Sequence, residues 1–227
     1  LLIGPKYRTA TIQSFPPGII HSIDKHLHRL RSLGIEGLVR QPYVHISAED
    51  EIYVERLLRE CGISAPLVVI NAGAKSHLKR WKAEGFASVA DRIVSECGSA
   101  VAFVGLAEDG EIIADIMKQM KHKCHNLVDK LNIRQLGSLL KRAKLLITND
   151  SAPLHLGGAV GSKVLAIFGP TNPKKYGPIG EFDTVIHKKL HCSPCENAVC
   201  ACNYECMTSI SADEVFEAAR MMIEGYE

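Results

Sequence analysis

Three stretches of this chain set small, cationic and hydroxyl side chains where phosphate chemistry could use them. The first is Asn71-Ala72-Gly73-Ala74-Lys75-Ser76-His77-Leu78-Lys79-Arg80-Trp81. Small residues up to Ala74 let backbone amides approach a ligand, and Lys75 and Lys79 carry the charge that suits a phosphate. The plainer reading is a solvated basic loop, with Trp81 packing on the next helix. The second stretch is Thr148-Asn149-Asp150-Ser151-Ala152-Pro153-Leu154-His155. Asp150 or Ser151 can cap a helix and Pro153 is tolerated in its first turn, so an ordinary helix start explains the composition. The same amides, with the helix dipole behind them, also favour a diphosphate. His155 would sit one turn in, where a lone histidine is more often structural than catalytic. The third stretch is Phe168-Gly169-Pro170-Thr171-Asn172-Pro173. It makes a rigid strand exit, and the Thr171 hydroxyl could also hold a sugar.

A second chemistry is written in sulfur. Of eight cysteines, five fall in Cys192-x2-Cys195-x4-Cys200-x1-Cys202-x3-Cys206. The C-x2-C step is a common half-site for zinc, but the remaining spacing is irregular and five thiols exceed a tetrahedral set by one. A structural clasp of metal or disulfide through Cys192, Cys195, Cys200 and Cys206 is expected, with plain burial as the alternative. Cys61, Cys97 and Cys124 are scattered, and the first two fit helix ends.

Other chemistries are excluded or unsupported. No G-x-G-x-x-G or G-x-x-x-x-G-K-[ST] follows a strand-like run, which argues against a dehydrogenase and a P-loop NTPase. The net charge of +2 gives no case for a nucleic-acid surface. No apolar run approaches the roughly 20 residues of a membrane span.

The elements that must position these loops are legible as alternation. Leu67-Val68-Val69-Ile70, Ala100 to Val104, Leu145 to Thr148 and Val164 to Phe168 read as strands apolar throughout, with a weaker one at Asn126-Leu127-Val128. Between them Phe86, Val89, Ala90, Ile93, Val94 and Cys97 recur at helical spacing, with Gly98 as C-cap. Ile112 to Met120, Ile133 to Ala143 and Ser151 to Val160 predict further helices. Ser211-Ala212-Asp213-Glu214 reads as a capping box before the last one. Strands apolar on both faces and separated by helices imply a doubly wound, Rossmann-like parallel α/β sheet over residues 67–227. Residues 1–66 hold a strand-like Leu2-Ile3-Gly4, a helix around Ile23, Leu27 and Leu30, and a second from Ser47. That set cannot bury a core alone, so it is expected to pack on the main domain or on chain before it, and the sequence reads as a fragment.

Taken in order, these stretches resemble the C-terminal half of the ADP-heptose:lipopolysaccharide heptosyltransferases, glycosyltransferase family 9. The resemblance runs through Lys79-Arg80-Trp81 with Phe86, Gly105 to Glu111, Leu136 to Ala143, Thr148 to His155 and Phe168 to Thr171. It continues into the cysteine tail and the capped last helix, covering roughly residues 20–225. It implies the C-terminal domain of a two-domain GT-B glycosyltransferase, with residues 1–66 as the end of the N-terminal acceptor domain and linker.

By that resemblance Lys79 neutralises the departing diphosphate, and Asp150, Ser151 and Ala152 present the helix N-terminus to it with His155 close by. Glu108 binds the ribose, with Glu111 as fallback, and Ala74, Lys75 and Thr171 complete the donor site. No metal cofactor is required, and an ADP-sugar is the donor. The acceptor is a lipid-linked saccharide of the lipopolysaccharide inner core. The implied place is the cytoplasm, at the inner face of the cytoplasmic membrane, with peripheral membrane association. The family has Gly where Ala152 stands, and its N-terminal glycine-rich loop and catalytic Asp have no counterpart here. The alternatives are another GT-B nucleotide-sugar enzyme, such as an epimerase, and a non-catalytic nucleotide-binding module.

Overall fold

The computed structural model describes residues 15–64 and 66–225. The strand expected at Leu2-Ile3-Gly4 lies outside them. Six strands form one wholly parallel sheet: β1 (Leu67–Asn71), β2 (Ala100–Phe103), β3 (His125–Asn126), β4 (Leu145–Asn149), β5 (Val164–Phe168) and β6 (Thr184–His187). Their spatial order is β3-β2-β1-β4-β5-β6. The chain leaves β1 toward one edge and returns through β4 to the other, so the order reverses between these two strands. In such sheets a crevice opens there, at the strands' carboxyl ends.

Alternation along each strand sends side chains to two separate cores. Val68, Ile70, Val101, Phe103, Leu145 and Ile147 face helices α3 (Ala83–Cys97), α4 (Gly110–Gln119) and α9 (Ala212–Glu224). Val69, Ala102, Leu146 and Ala166 face α2 (Ala48–Glu60), α5 (Ile133–Arg142) and α6 (Ala152–Val160). Each fully buried aliphatic side chain contributes about 1.5–3 kcal/mol, which is why these strands carry no polar interruptions before their last residues. Gly157 lets α6 lie close on β4 and β5. A Cβ there would stand 2.9 Å from Val164 and 3.0 Å from Leu146.

The helix before the sheet is part of this packing. Ser47 and Asp50 form a reciprocal capping box at the start of α2, and Val54 and Leu57 are buried with Leu139 and Leu140. Asp50 and Glu51 pair with Arg134 and Lys141 on α5. α1 (Ser22–Ser32) has no buried residue of its own and is held at its start by His21. The ring accepts the Ile23 N–H at Nδ1, and Nε2 bonds the Gly177 carbonyl at 3.0 Å. Gln41 bonds the Gly158 carbonyl of α6 at 2.7 Å.

Local details depart from the sequence reading. β3 stops at Asn126 because that side chain takes the Val128 N–H and turns the chain. At α9, Ser211 accepts the Glu214 N–H, but Glu214 pairs with Lys188, so only half of the capping box forms. β6 is an edge strand of mostly half-buried residues, without the apolar run that marks the others. The Asp183 carboxylate fixes its start by accepting N–H groups of Val164 and Gly180. α7 (Pro173–Tyr176) and α8 (Glu205–Thr208) are single turns with no periodicity to reveal them. Among the described residues no helix is long and apolar enough to cross a membrane.

Candidate functional site

Three loops meet at the carboxyl edge beside the switch point, and one carboxylate joins them. Lys79 ends a 3-10 turn, His77–Lys79, after β1. Its Nζ donates to Asp150 Oδ2 at 2.7 Å. Thr171, in the loop after β5, donates its hydroxyl to the same oxygen at 2.6 Å. Asp150 is buried and follows β4 directly. Its carboxylate is therefore spent on loop closure, and it does not cap α6.

Ser151 occupies the N-cap position of α6 but makes no side-chain cap bond. Its hydroxyl instead accepts from Asn71 Nδ2 at 2.9 Å. Pro153 has no N–H, and the Leu154 N–H returns to the Ser151 carbonyl at 3.2 Å. The Ala152 N–H, at the first helical position, is one of the donors that a helix leaves without an internal acceptor. Lys79 and the positive end of the helix dipole thus adjoin, an arrangement suited to a multiply charged anion. His155 is exposed one turn along. Desolvation lowers its pKa, Asp150 opposes this, and His21 and Lys79 add to it.

Two asparagines at the strand ends brace the loops, and sequence reasoning did not single them out. Asn149 donates to the Ala72 carbonyl at 2.8 Å and accepts the Trp81 N–H at 3.1 Å. Asn71 donates to the Gly73 carbonyl at 3.0 Å. Trp81 is structural, as the plainer reading held. Its indole N–H reaches the Ile210 carbonyl, and its ring stands edge-on to Phe86 with centroids 5.0 Å apart. The signal available in the sequence was an amide closing each of two otherwise apolar strands.

The remaining expected residues are spread around this centre. Ala74 is buried, with its carbonyl bonded by Arg80, and Lys75 is exposed at the loop tip. Glu108 is exposed in a 3-10 turn, Ala107–Asp109, after β2, and Glu111 is exposed in the first turn of α4. The neighbouring Asp109, unremarked in the sequence, packs against the start of the Lys79 loop. It accepts the Leu106 N–H at 3.0 Å, and its carboxylate lies where a Cβ on Gly73 would fall. Beyond Lys79 and Thr171 an open cleft of about 420 Å³ is lined by Tyr176, Glu196 and Asn197 as well. That volume lies in the range of small-molecule sites.

Among the cysteines the structure brings together His191, Cys192 and Cys202, whose ligand atoms lie within 4.8 Å of one another. Of these only Cys192 belongs to the clasp expected from spacing. Cys195 is exposed, Cys200 half-buried and Cys206 buried, and all eight cysteines are free thiols.

With this geometry the comparisons with known proteins become informative. The family model described as glycosyltransferase family 9 (heptosyltransferase) matches residues 24–205. The chain belongs to that family. A lipooligosaccharide heptosyltransferase 2 from Campylobacter jejuni is 32% identical over 160 residues, which is 68% of this chain and 50% of the relative. The solved family 9 glycosyltransferase of Veillonella parvula superposes with a TM-score of 0.85 at 27% identity, over 97% of this chain and 65% of that one. The ADP-heptose lps heptosyltransferase II of E. coli superposes with a TM-score of 0.69 at 21% identity, over 86% and 57% respectively, and shares the fold. This family 9 chain spans about half the length of the curated relatives it matches.

Proposed function

We propose that this chain is the donor-binding part of a heptosyltransferase, which transfers a heptose from ADP-heptose to an inner-core acceptor of lipopolysaccharide. The observation that carries the reading is the meeting of Lys79, Thr171 and the uncapped start of α6 around Asp150. Breaking the bond between sugar and diphosphate builds negative charge on the phosphate oxygens. A fixed ammonium and helix amides, set before the reaction begins, stabilise that charge without a metal ion. Lys79 is the residue assigned to the leaving group, and Ala152 with Ser151 supplies the amide end of the helix.

Glu108, across the switch point after β2, is assigned to the ribose hydroxyls, and Ala74 and Lys75 to the rim of the phosphate loop. Thr171 and the cleft beyond it face the sugar. His155 serves as a hydrogen-bonding group beside the phosphates. The acceptor and the base that activates it are assigned to no residue of this chain. In the family pattern they belong to an acceptor-binding domain, and a lipid-linked acceptor fits a reaction at the inner face of the cytoplasmic membrane.

Calorimetric titration with ADP and UDP tests the donor assignment. ADP should bind in preference to UDP, and Lys79→Ala should weaken ADP by at least roughly tenfold, since hydrogen bonds to charged groups contribute about 1.5–3 kcal/mol. Absence of ADP binding, or equal affinity in the variant, would remove the proposal.

A further inference from the structure

The cysteine tail lies outside the phosphate loops, and of its five thiols only Cys206 joins a core. It passes behind the donor site and is tied to it. The Pro170 carbonyl accepts the N–H groups of Cys195 and Glu196 at 3.0 and 2.8 Å. The Ser193 hydroxyl donates to the Gly169 carbonyl at 2.7 Å and lies 3.0 Å from His187. Cys192, Cys195, Cys200, Cys202 and Cys206 all line one cavity of about 60 Å³. Its other walls include Leu78 and Pro170, the neighbours in sequence of Lys79 and Thr171. That space suits an ion and is far below the roughly 300 Å³ at which organic-ligand sites begin.

Thiols gathered in this way need an account. A cation among them would hold them as thiolates, because ligation turns their mutual repulsion into attraction to the ion. Backbone amides are already turned toward one sulfur. Cys200 Sγ accepts N–H groups from Cys202 and Tyr204 at 3.4 and 3.2 Å, bonds that support a thiolate ligand as outer-shell donors do. Asn203 and Tyr204 take positive φ values of 45° and 59° to make this turn.

We propose that His191, Cys192, Cys200 and Cys202 hold one zinc ion, which braces the loops carrying Lys79 and Thr171. Two sulfurs in a tetrahedral zinc site stand about 3.8 Å apart, given Zn–S bonds of about 2.3 Å. The ligand atoms of His191, Cys192 and Cys202 lie within 4.8 Å of one another, and Cys200 lines the same cavity as the two cysteines. Soft sulfur with one imidazole selects zinc over the oxygen-preferring cations. Zinc binding displaces the thiol protons to solvent, with no change in oxidation state. Four protein ligands leave no open position, so the ion has a structural role.

The test uses the full chain, purified under reducing conditions without chelator. Elemental analysis should find about one zinc per chain. Cobalt(II) added to the metal-stripped chain should give thiolate-to-cobalt charge-transfer absorption with tetrahedral ligand-field bands, and zinc should displace it. Zinc should also slow modification of the cluster thiols, because a ligated sulfur is no longer a free nucleophile. The pair Cys192→Ser and Cys202→Ser should abolish these signals, while Cys61→Ser, just after α2, should not. If the paired variant does not fold, the wild-type cobalt spectrum decides. A spectrum without thiolate charge transfer, thiol reactivity indifferent to zinc, or a Cys192–Cys202 disulfide with no metal bound after reduction each overturns the site. Stoichiometric iron in place of zinc overturns the choice of ion.

Discussion

The Lys79 ammonium stands 2.7 Å from the Asp150 carboxylate, yet the two side chains are unequally enclosed, at 30% and 7% exposure. Losing the partner therefore has unequal consequences. In Lys79→Met the carboxylate stays buried with Thr171 as its main remaining donor, and an underpaired buried charge costs about 1–3 kcal/mol. In Asp150→Asn the lysine can turn to water, so the loss should be smaller. Chemical denaturation of both variants should rank Lys79→Met as the less stable. The reverse order would mean that Asp150 acts chiefly by holding Thr171.

The amide of Ala152 offers a test of the helix start that leaves charge untouched. Proline is well tolerated at the first helical position, and Ser151 before it is extended at φ −151° and ψ 175°, a conformation compatible with a following proline. Ala152→Pro removes one N–H and little else. Thermal stability should change by no more than about 1 kcal/mol, whereas ADP affinity should fall by roughly tenfold, the worth of a hydrogen bond to an anion. Unchanged calorimetric affinity would take the α6 amides out of the proposed site.

How far the sequence reveals such a site is clear from its parts. Strands β1, β2, β4 and β5 are buried on both faces, so they must be apolar runs and announce themselves. Lys79, Asp150 and Thr171 each stand out by residue type. Their convergence on one carboxylate oxygen is a tertiary fact, set by which strands are neighbours, and no spacing rule encodes it. Asp109 was missed for the same reason, because its carboxylate packs on the bare backbone at Gly73, far away in sequence. β6 is half-exposed at a sheet edge, where burial does not force an apolar pattern. The cysteine spacing marks five thiols in one stretch, but which side chains draw together depends on positive-φ turns at Asn203 and Tyr204 that composition does not specify.

Asn149 links that tertiary geometry to stability. Its amide is buried and satisfies both the Ala72 carbonyl and the Trp81 N–H. Asn149→Ala should cost about 1–3 kcal/mol by orphaning these groups. It should also loosen the loop that aims Lys79, so ADP binding should weaken although the side chain has no assigned ligand contact. Denaturation and calorimetry on one preparation check both effects. Lost stability with intact ADP affinity would show that the Lys79 turn holds itself.

Histidine titration sets the acid side of the stability profile. Desolvation is the leading cause that lowers the pKa values of His155, His125 and His187. A histidine whose folded pKa lies below its unfolded value of about 6.5 binds fewer protons when folded in the window between the two. Stability therefore rises with pH through that window. The contribution is fully present above about pH 6.5 and is lost as pH falls through the folded values. Denaturation midpoints between pH 7.5 and pH 5 should fall with acid, and His155→Gln should flatten part of that slope. Saturating ADP should oppose the loss more strongly in the wild type than in His155→Gln, because a diphosphate beside the ring favours its protonated form. Equal protection in both proteins would place His155 outside reach of the phosphates.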